Sequence, residues 1–407
     1  MVCVATGIIM LGQGIIGPVL PLYAKDFNVS ATMIGASISA FGLARMILNL
    51  PAGILSDRFG RRLLLVTGPA ITALGSFLSA AAGDIWQLLA FRFVAGAGSA
   101  MFMTGAITLV TDISTPEDRA RMLSLFQGSL LLGVSIGPAI GGLTAELLGL
   151  RAPFVVVGAL AAGCTLWAAR VMPETHRSPA APDIGSVSEN ATAPSTALSS
   201  LRPLYTNMGF TLVSLFTFSI FFTRTGARQT IIPLLGDDRL GLTAGSLGAV
   251  FAMMALINLA AIGPAGAWAD RFGRKRVIVP SAFLTAIGLG LFALTGNLAL
   301  FLVAAVVQAI GTGLGGPAPA AYAADVIPAK ARGLGMGLYR TYSDIGFVAG
   351  PLLLGWLADA TGSFNWSLWA TAILVAASAL IFGLFARETA GQQKEPPPEG
   401  DVVSANG

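Results

Sequence analysis

Charge is what this chain has least of. Only 11% of its 407 residues are Asp, Glu, Lys or Arg, against 55% that are hydrophobic. A soluble globular domain carries about 25% charged residues, so this sequence has less than half the polar surface that water requires. Histidine is reduced to His176 and cysteine to Cys3 and Cys164. One histidine and two scattered cysteines cannot assemble a zinc or other transition-metal site of the usual kind, and no metal or cofactor is expected. Both cysteines fall in apolar stretches and read as small buried hydrophobes. No phosphate-cradling P-loop is present, so ATP hydrolysis is not expected to drive any activity. No nucleophile–base constellation suggests an enzyme. The net charge of +4 gives no reason to expect a nucleic-acid partner.

What the chain has in abundance is apolar sequence and glycine. Apolar runs fall near 3–24, 32–55, 63–82, 86–111, 121–147 and 152–171, then near 206–235, 243–267, 277–295, 298–324, 333–357 and 364–386. Each is long enough to cross a bilayer at roughly 20 residues per crossing, which predicts an all-α membrane protein of twelve spans in two six-helix halves. The 50 glycines suit helices that approach closely in lipid. Four segments follow: residues 1–172 and 204–387 as the two halves, 173–203 as a Pro- and Ser-rich linker, and 388–407 as a disordered tail. The first span lacks a basic head, which argues against a cleaved signal peptide and suggests either a start upstream of Met1 or a short terminus.

Loop charge predicts sidedness. With the linker and both termini on one side, sixteen of the 24 Lys and Arg fall on that side, three (Lys25, Arg151 and Arg239) on the other, and five within spans. The positive-inside rule makes the rich side cytoplasmic, in a plasma or inner membrane.

The halves repeat. Gly53-Ile-Leu-Ser-Asp-Arg-Phe-Gly-Arg-Arg62 returns as Gly266-Ala-Trp-Ala-Asp-Arg-Phe-Gly-Arg-Lys275, and 266 minus 53 gives an offset of 213. The same offset carries Asp112 onto Asp325, and Gly133, Gly137, Pro138 and Gly142 onto Gly346, Gly350, Pro351 and Gly355. Within the loop motif, Gly60 and Gly273 suit a tight turn, while Asp57 and Asp270 are anions able to meet a helix N-terminus or a cation. Gly133, Gly137 and Gly141 lie four apart on one stripe, a bare groove for close packing. Gly142 extends the motif, and Pro138 and Pro351 should bend their helices.

On these motifs the chain resembles the major facilitator superfamily over nearly its whole length, linker and tail excepted. Arg92 with Gly96 and Gly98 is similar to the family's fourth-helix motif. The Gly133–Gly142 stretch, and more weakly Pro18-x-x-Pro21, resemble signatures of its drug/proton antiporter branch. The resemblance implies alternating access by a monomer. It also implies a gate in which Gly53, Asp57, Arg58, Gly60 and Arg61, with Gly266, Asp270, Arg271 and Gly273, hold helix ends together when the carrier faces outward.

Charges inside spans are functional candidates. They are Arg45, Arg92, Arg224, Arg228, Arg340 and Asp344. Asp344 is the one carboxylate deep in a span, so it is the candidate proton carrier, with Arg340 one turn before it as the nearest expected partner. A structural ion pair is the competing reading. Arg45 and Arg92 suit either coupling or helix packing, and Arg228 either the cavity or snorkelling at the outer end. Gln13, Gln127, Arg224, Tyr322 and Tyr342 are candidate cavity liners. The net positive charge of the spans leans towards anionic or zwitterionic solutes. The expected function is transport of a small solute across the bilayer, with proton-coupled efflux favoured. A nutrient or organic-anion symporter or uniporter, and a non-transporting sensor, stand as alternatives.

Overall fold

The computed structural model describes residues 1–115, 118–172, 204, 207–328 and 331–389. The expected linker at 173–203, with His176, and residues 390–407 of the expected tail lie outside the described residues. Regular structure among the described residues is helical throughout. Twelve segments cross the molecule: α1 in two pieces (Val2–Ile16 and Leu20–Lys25), α2 (Ala31–Phe59), α3 (Arg61–Ala80), α4 (Ile85–Ile113), α5 (Arg119–Leu148), α6 (Ala152–Val171), α7 (Met208–Leu240), α8 (Ala244–Phe272), α9 (Arg274–Ala293), α10 (Leu298–Val326), α11 (Arg332–Thr361) and α12 (Phe364–Phe385). Ten of these are long and apolar enough to span a membrane by themselves. The others are α1, which is broken, and α11, which carries Arg340, Asp344 and Asp359.

Local chemistry sets the boundaries. Ser30, Asp84, Thr243 and Asn297 cap α2, α4, α8 and α10, each side chain accepting a bond from a backbone N–H three residues on. Such caps satisfy donors that a helix start leaves open. Gly60 alone separates α2 from α3, and Gly273 alone separates α8 from α9, at φ of 89° and 105°. A side chain is strained at those angles, so the repeated glycine of the loop motif is required by the turn itself. α1 breaks at Gly17–Val19, where Pro18 lacks the N–H that would continue the ladder. α10 breaks likewise before Pro317, between Leu298–Gly315 and Ala318–Val326.

α1–α6 form one bundle and α7–α12 the other, and they meet where α2 packs on α11 and α5 on α8. Within the first bundle α5 lies directly on α1: an added Cβ on Gly14 would fall 2.7 Å from the Val134 carbonyl oxygen. Gly133, Gly137 and Gly141 face Gly7, Gly14 and Ile15 of α1, and Gly346 and Gly350 of α11 face Phe218 and Phe222 of α7. The glycine stripe is therefore a backbone-to-backbone contact in each half.

The expected disordered tail begins too early at Glu388. Its carboxylate accepts bonds from the backbone N–H groups of Arg274 (2.9 Å) and Lys275 (3.2 Å), closing the N-terminus of α9. Replacing Glu388 by Ala is expected to cost about 1 kcal/mol, as for a lost helix cap, and to lower the melting midpoint of the purified protein by roughly 1–2 °C. An unchanged midpoint would show that the cap adds nothing.

Candidate transport cavity and its two gates

Between the bundles lies a cavity of about 370 Å³. Gln13 of α1, Arg92 and Ser99 of α4, Arg224 and Arg228 of α7 and Gln308 of α10 supply its polar wall. Gln308 is 1% exposed, and neither atom of its amide has a protein partner. Gln13 Nε2, Arg92 Nε and Ser99 Oγ are also buried without one. Unpaired polar atoms cost roughly 1–3 kcal/mol each when buried, so this wall is built to bond something inside the cavity. Phe41, Phe216, Phe221, Phe251 and Phe347 supply the apolar wall. The Arg92 guanidinium sits 4.6 Å from the Phe41 ring centroid, a stacked position that fixes it at the cavity edge.

The middle of α7, Thr223–Ile231, is wound as a π-helix. Such segments are rare and frequent at functional sites. This one carries Arg224, Arg228 and Gln229, all three lining the cavity.

The cavity is closed on one side. At the face opposite the arginine-rich loops, Asp359 at the end of α11 accepts bonds from the first backbone N–H groups of α2, Ala31 at 2.8 Å and Thr32 at 2.9 Å, and from the Thr32 hydroxyl. Glu146 at the end of α5 accepts one from Gly245 at the start of α8, at 3.0 Å. Glu146 and Asp359 are themselves 213 residues apart, so these latches form a pseudo-symmetric pair. Each sets a carboxylate of one half on the positive helix end of the other. Lys25 and Asp237 add a 2.6 Å ion pair between the halves on the same face. Beside it, burial and then the charge of Asp237 push the Asp26 carboxyl above its ordinary range, with Arg151 and Lys25 pulling it back.

At the arginine-rich face the halves stand apart. An added Cβ at Gly53, Gly128, Gly266, Gly333 or Gly337 would meet nothing within 4 Å. Asp57 and Asp270 have side chains 75% and 76% exposed. The loop motif here ties each half together internally. Arg61 is 3% exposed; its Nε holds Asp112 of α4 at 2.8 Å, while Nη2 reaches Asp57 at 3.3 Å. Arg274 repeats this with Asp325 and Asp270, both at 3.2 Å. Arg61 is thus a buried hub within the first half. Arg58 and Arg271 lie over the neighbouring rings of Phe59 and Phe272.

Asp344 and Arg340 of α11 and Arg45 of α2 lie outside the cavity lining. Arg45, from the other half, and Arg340, on its own helix, both act on Asp344 through their charge. Asp344 makes no direct salt bridge among the described residues.

Comparison with known proteins decides the family. The model of the Major Facilitator Superfamily matches residues 2–230 and 215–405. The chain belongs to the major facilitator superfamily. It is a membrane transporter and not an enzyme. Among its relatives, Multidrug resistance protein 1 of Bacillus subtilis (strain 168) is 25% identical over 354 residues, covering 86% of this chain and 87% of that protein. Quinolone resistance protein NorA of Staphylococcus aureus (strain N315) is 33% identical over 153 residues, 38% of this chain and 39% of its own length. Among solved structures, an inward-facing bacterial homologue of the human lysosomal transporter Spinster aligns with a TM-score of 0.78 at 17% identity, covering 94% of this chain and 95% of that one.

The fold sorts the sequence candidates. Gln13, Arg92 and Arg224 line the cavity, and so does Arg228. Gln127 is exposed at the open end of α5, and Tyr342 is half-buried outside the lining. Tyr322, 1% exposed, is a core residue packed on Phe382, and its hydroxyl donates to the Arg387 carbonyl at 2.9 Å. Both tyrosines and Gln127 are therefore corrected as cavity liners. The sequence reading missed Gln308, Ser99, Gln229 and Asn258; Asn258 of α8 accepts a bond from Thr312 of α10 at 2.9 Å beside the cavity. An amide in mid-span was the available signal for Gln308, by the same rule that selected Gln13. Thr72 of α3 and Thr285 of α9, 213 residues apart, also line the cavity.

Proposed function

We propose that this protein is a secondary carrier that exports a small solute in exchange for protons by alternating access. The single observation that carries the reading is the cavity between the halves, latched by Glu146 and Asp359 on one face and open on the arginine-rich face. A hydrophobic bundle with such a one-sided cleft suits one of the two states of an alternating-access carrier, open to a single compartment. Positive-inside sorting makes that compartment the cytoplasm. The names of the relatives, multidrug and quinolone resistance proteins, support export.

In this reading the structure is the inward-facing state. The Arg61 and Arg274 hubs keep each half rigid while the halves rock, and Asp57 and Asp270 stand ready to meet the opposite half when the cytoplasmic side closes. Asp344 is the proton carrier. Because Arg45 belongs to the other half, protonating Asp344 weakens an attraction across the α2–α11 seam, and so links proton occupancy to rocking. Arg340 and Arg92 adjust the local field.

Asp344→Asn is expected to abolish solute accumulation driven by a pH gradient in inverted vesicles while leaving exchange of labelled for unlabelled solute in place. Retained pH-driven accumulation in that variant would remove Asp344 from the coupling step. A symporter or uniporter of the same fold would give the opposite sign or no sign of pH change outside the vesicle when solute is added.

A further inference from the structure

We infer that the solute is an amphipathic organic anion: an aromatic or aliphatic body bearing a carboxylate, sulfonate or phosphate head. This rests on the carrier reading above and names the chemistry of its cavity. Three guanidinium groups line the space, Arg92 from one half and Arg224 and Arg228 from the other, and no Asp or Glu lines it. Among the described residues none of the three is ion-paired. Arg92 is buried, while Arg224 is exposed and Arg228 half-buried towards the open cavity. Three guanidiniums around one space without a counter-charge repel one another, and an anionic ligand supplies that counter-charge. The choice of arginine is informative too, because the planar fork presents paired donors to a carboxylate or phosphoryl oxygen pair and is weakly hydrated.

The rest of the wall selects for an amphipathic molecule over a bare inorganic ion. Around the guanidiniums stand five phenylalanine rings and aliphatic side chains, in a space of about 370 Å³, within the range for drug-sized ligands. Arg228 lies 5.9 Å from the Phe251 ring centroid and Arg224 5.9 Å from that of Phe221, so charge and aromatic surface adjoin at the same spot. A lipophilic cation would meet the aromatic rings but face three like charges. An anion held between Arg92 and the Arg224–Arg228 pair also removes repulsion between the two walls that must approach when the cavity closes, which ties solute occupancy to the transition.

The test uses two probes that share a body and differ in charge: 1-pyrenebutyrate and 4-(1-pyrenyl)butyltrimethylammonium. Binding to the full chain in phosphatidylcholine nanodiscs is read by fluorescence anisotropy. The butyrate is expected to bind about tenfold more tightly, or better, than the ammonium compound. Arg224→Gln with Arg228→Gln should erase that preference, and Arg224→Lys with Arg228→Lys should restore most of it. Arg92→Gln, from the other half, gives a second route if the double variant does not fold. Equal binding of the two probes, tighter binding of the ammonium compound, no binding of the butyrate, or a preference that survives both Gln variants would overturn the inference. A separate flux arm isolates the carrier reading. If the butyrate binds with the expected preference yet does not cross proteoliposomes under any gradient, the anion site stands and transport of this class of solute fails.

Discussion

Replacing Glu146 by Gln and Asp359 by Asn together is expected to open the latched face of the cavity to the compartment beyond it. Each carboxylate bonds backbone N–H groups at the first turn of a helix in the opposite half, a charge-assisted contact with a positive helix end. Losing one such contact costs about 1–3 kcal/mol, and about 3 kcal/mol in total shifts a two-state equilibrium roughly a hundredfold. The latches lie on different helix pairs, so the two losses should add closely. The measurement is labelling of Gln13→Cys, in a chain with Cys3 and Cys164 replaced by Ala, by an impermeant thiol reagent supplied only on the latched side. The parent should label slowly, each single variant faster, and the double variant fastest. A double variant that labels at the parent rate would show that the closed face is held by something else.

Gly141→Val is expected to have the largest effect on stability of any single change discussed. A Cβ there would overlap the backbone of Ile15 on α1. Over-packing of an ordinary core costs typically 1–3 kcal/mol even though side chains can rearrange; here the obstacle is main chain, which cannot rotate aside. The α1–α5 crossing must therefore separate, and with it the wall that holds Gln13. The expected result is aggregation or loss of the monodisperse peak on gel filtration. Gly163→Val on α6, where a Cβ meets nothing within 4 Å, should behave as the parent. Equal melting of the two variants would disprove the close approach.

The architecture was legible because lipid imposes it. Every backbone group of a span must be satisfied internally, so twelve apolar runs and a 213-residue register sufficed for two six-helix halves. The latches were legible in principle: Glu146 and Asp359 stand in the same register as the loop motifs, but a carboxylate at a span end looks like ordinary water-facing charge until its partner helix is known. Cavity lining was only half legible. In water, polarity marks the outward face of a helix, whereas in a bilayer both the lipid face and the packed face are apolar. Gln127 and Tyr322 were therefore indistinguishable from Gln13 by sequence. Charge gave a better signal, since an arginine in lipid must turn inward, and Arg92, Arg224 and Arg228 all do. The π-helical stretch of α7, which packs against α11, was not read from the sequence.

That stretch has a mechanical consequence. A π-type bond closes over one residue more than an α-type bond, so exchanging one for the other re-indexes the helix by a single residue, a rotation of about 100° for everything beyond it. In α7 that offset falls at the depth of Arg224 and Arg228, so it sets which side of the second part of the helix is presented to the cavity.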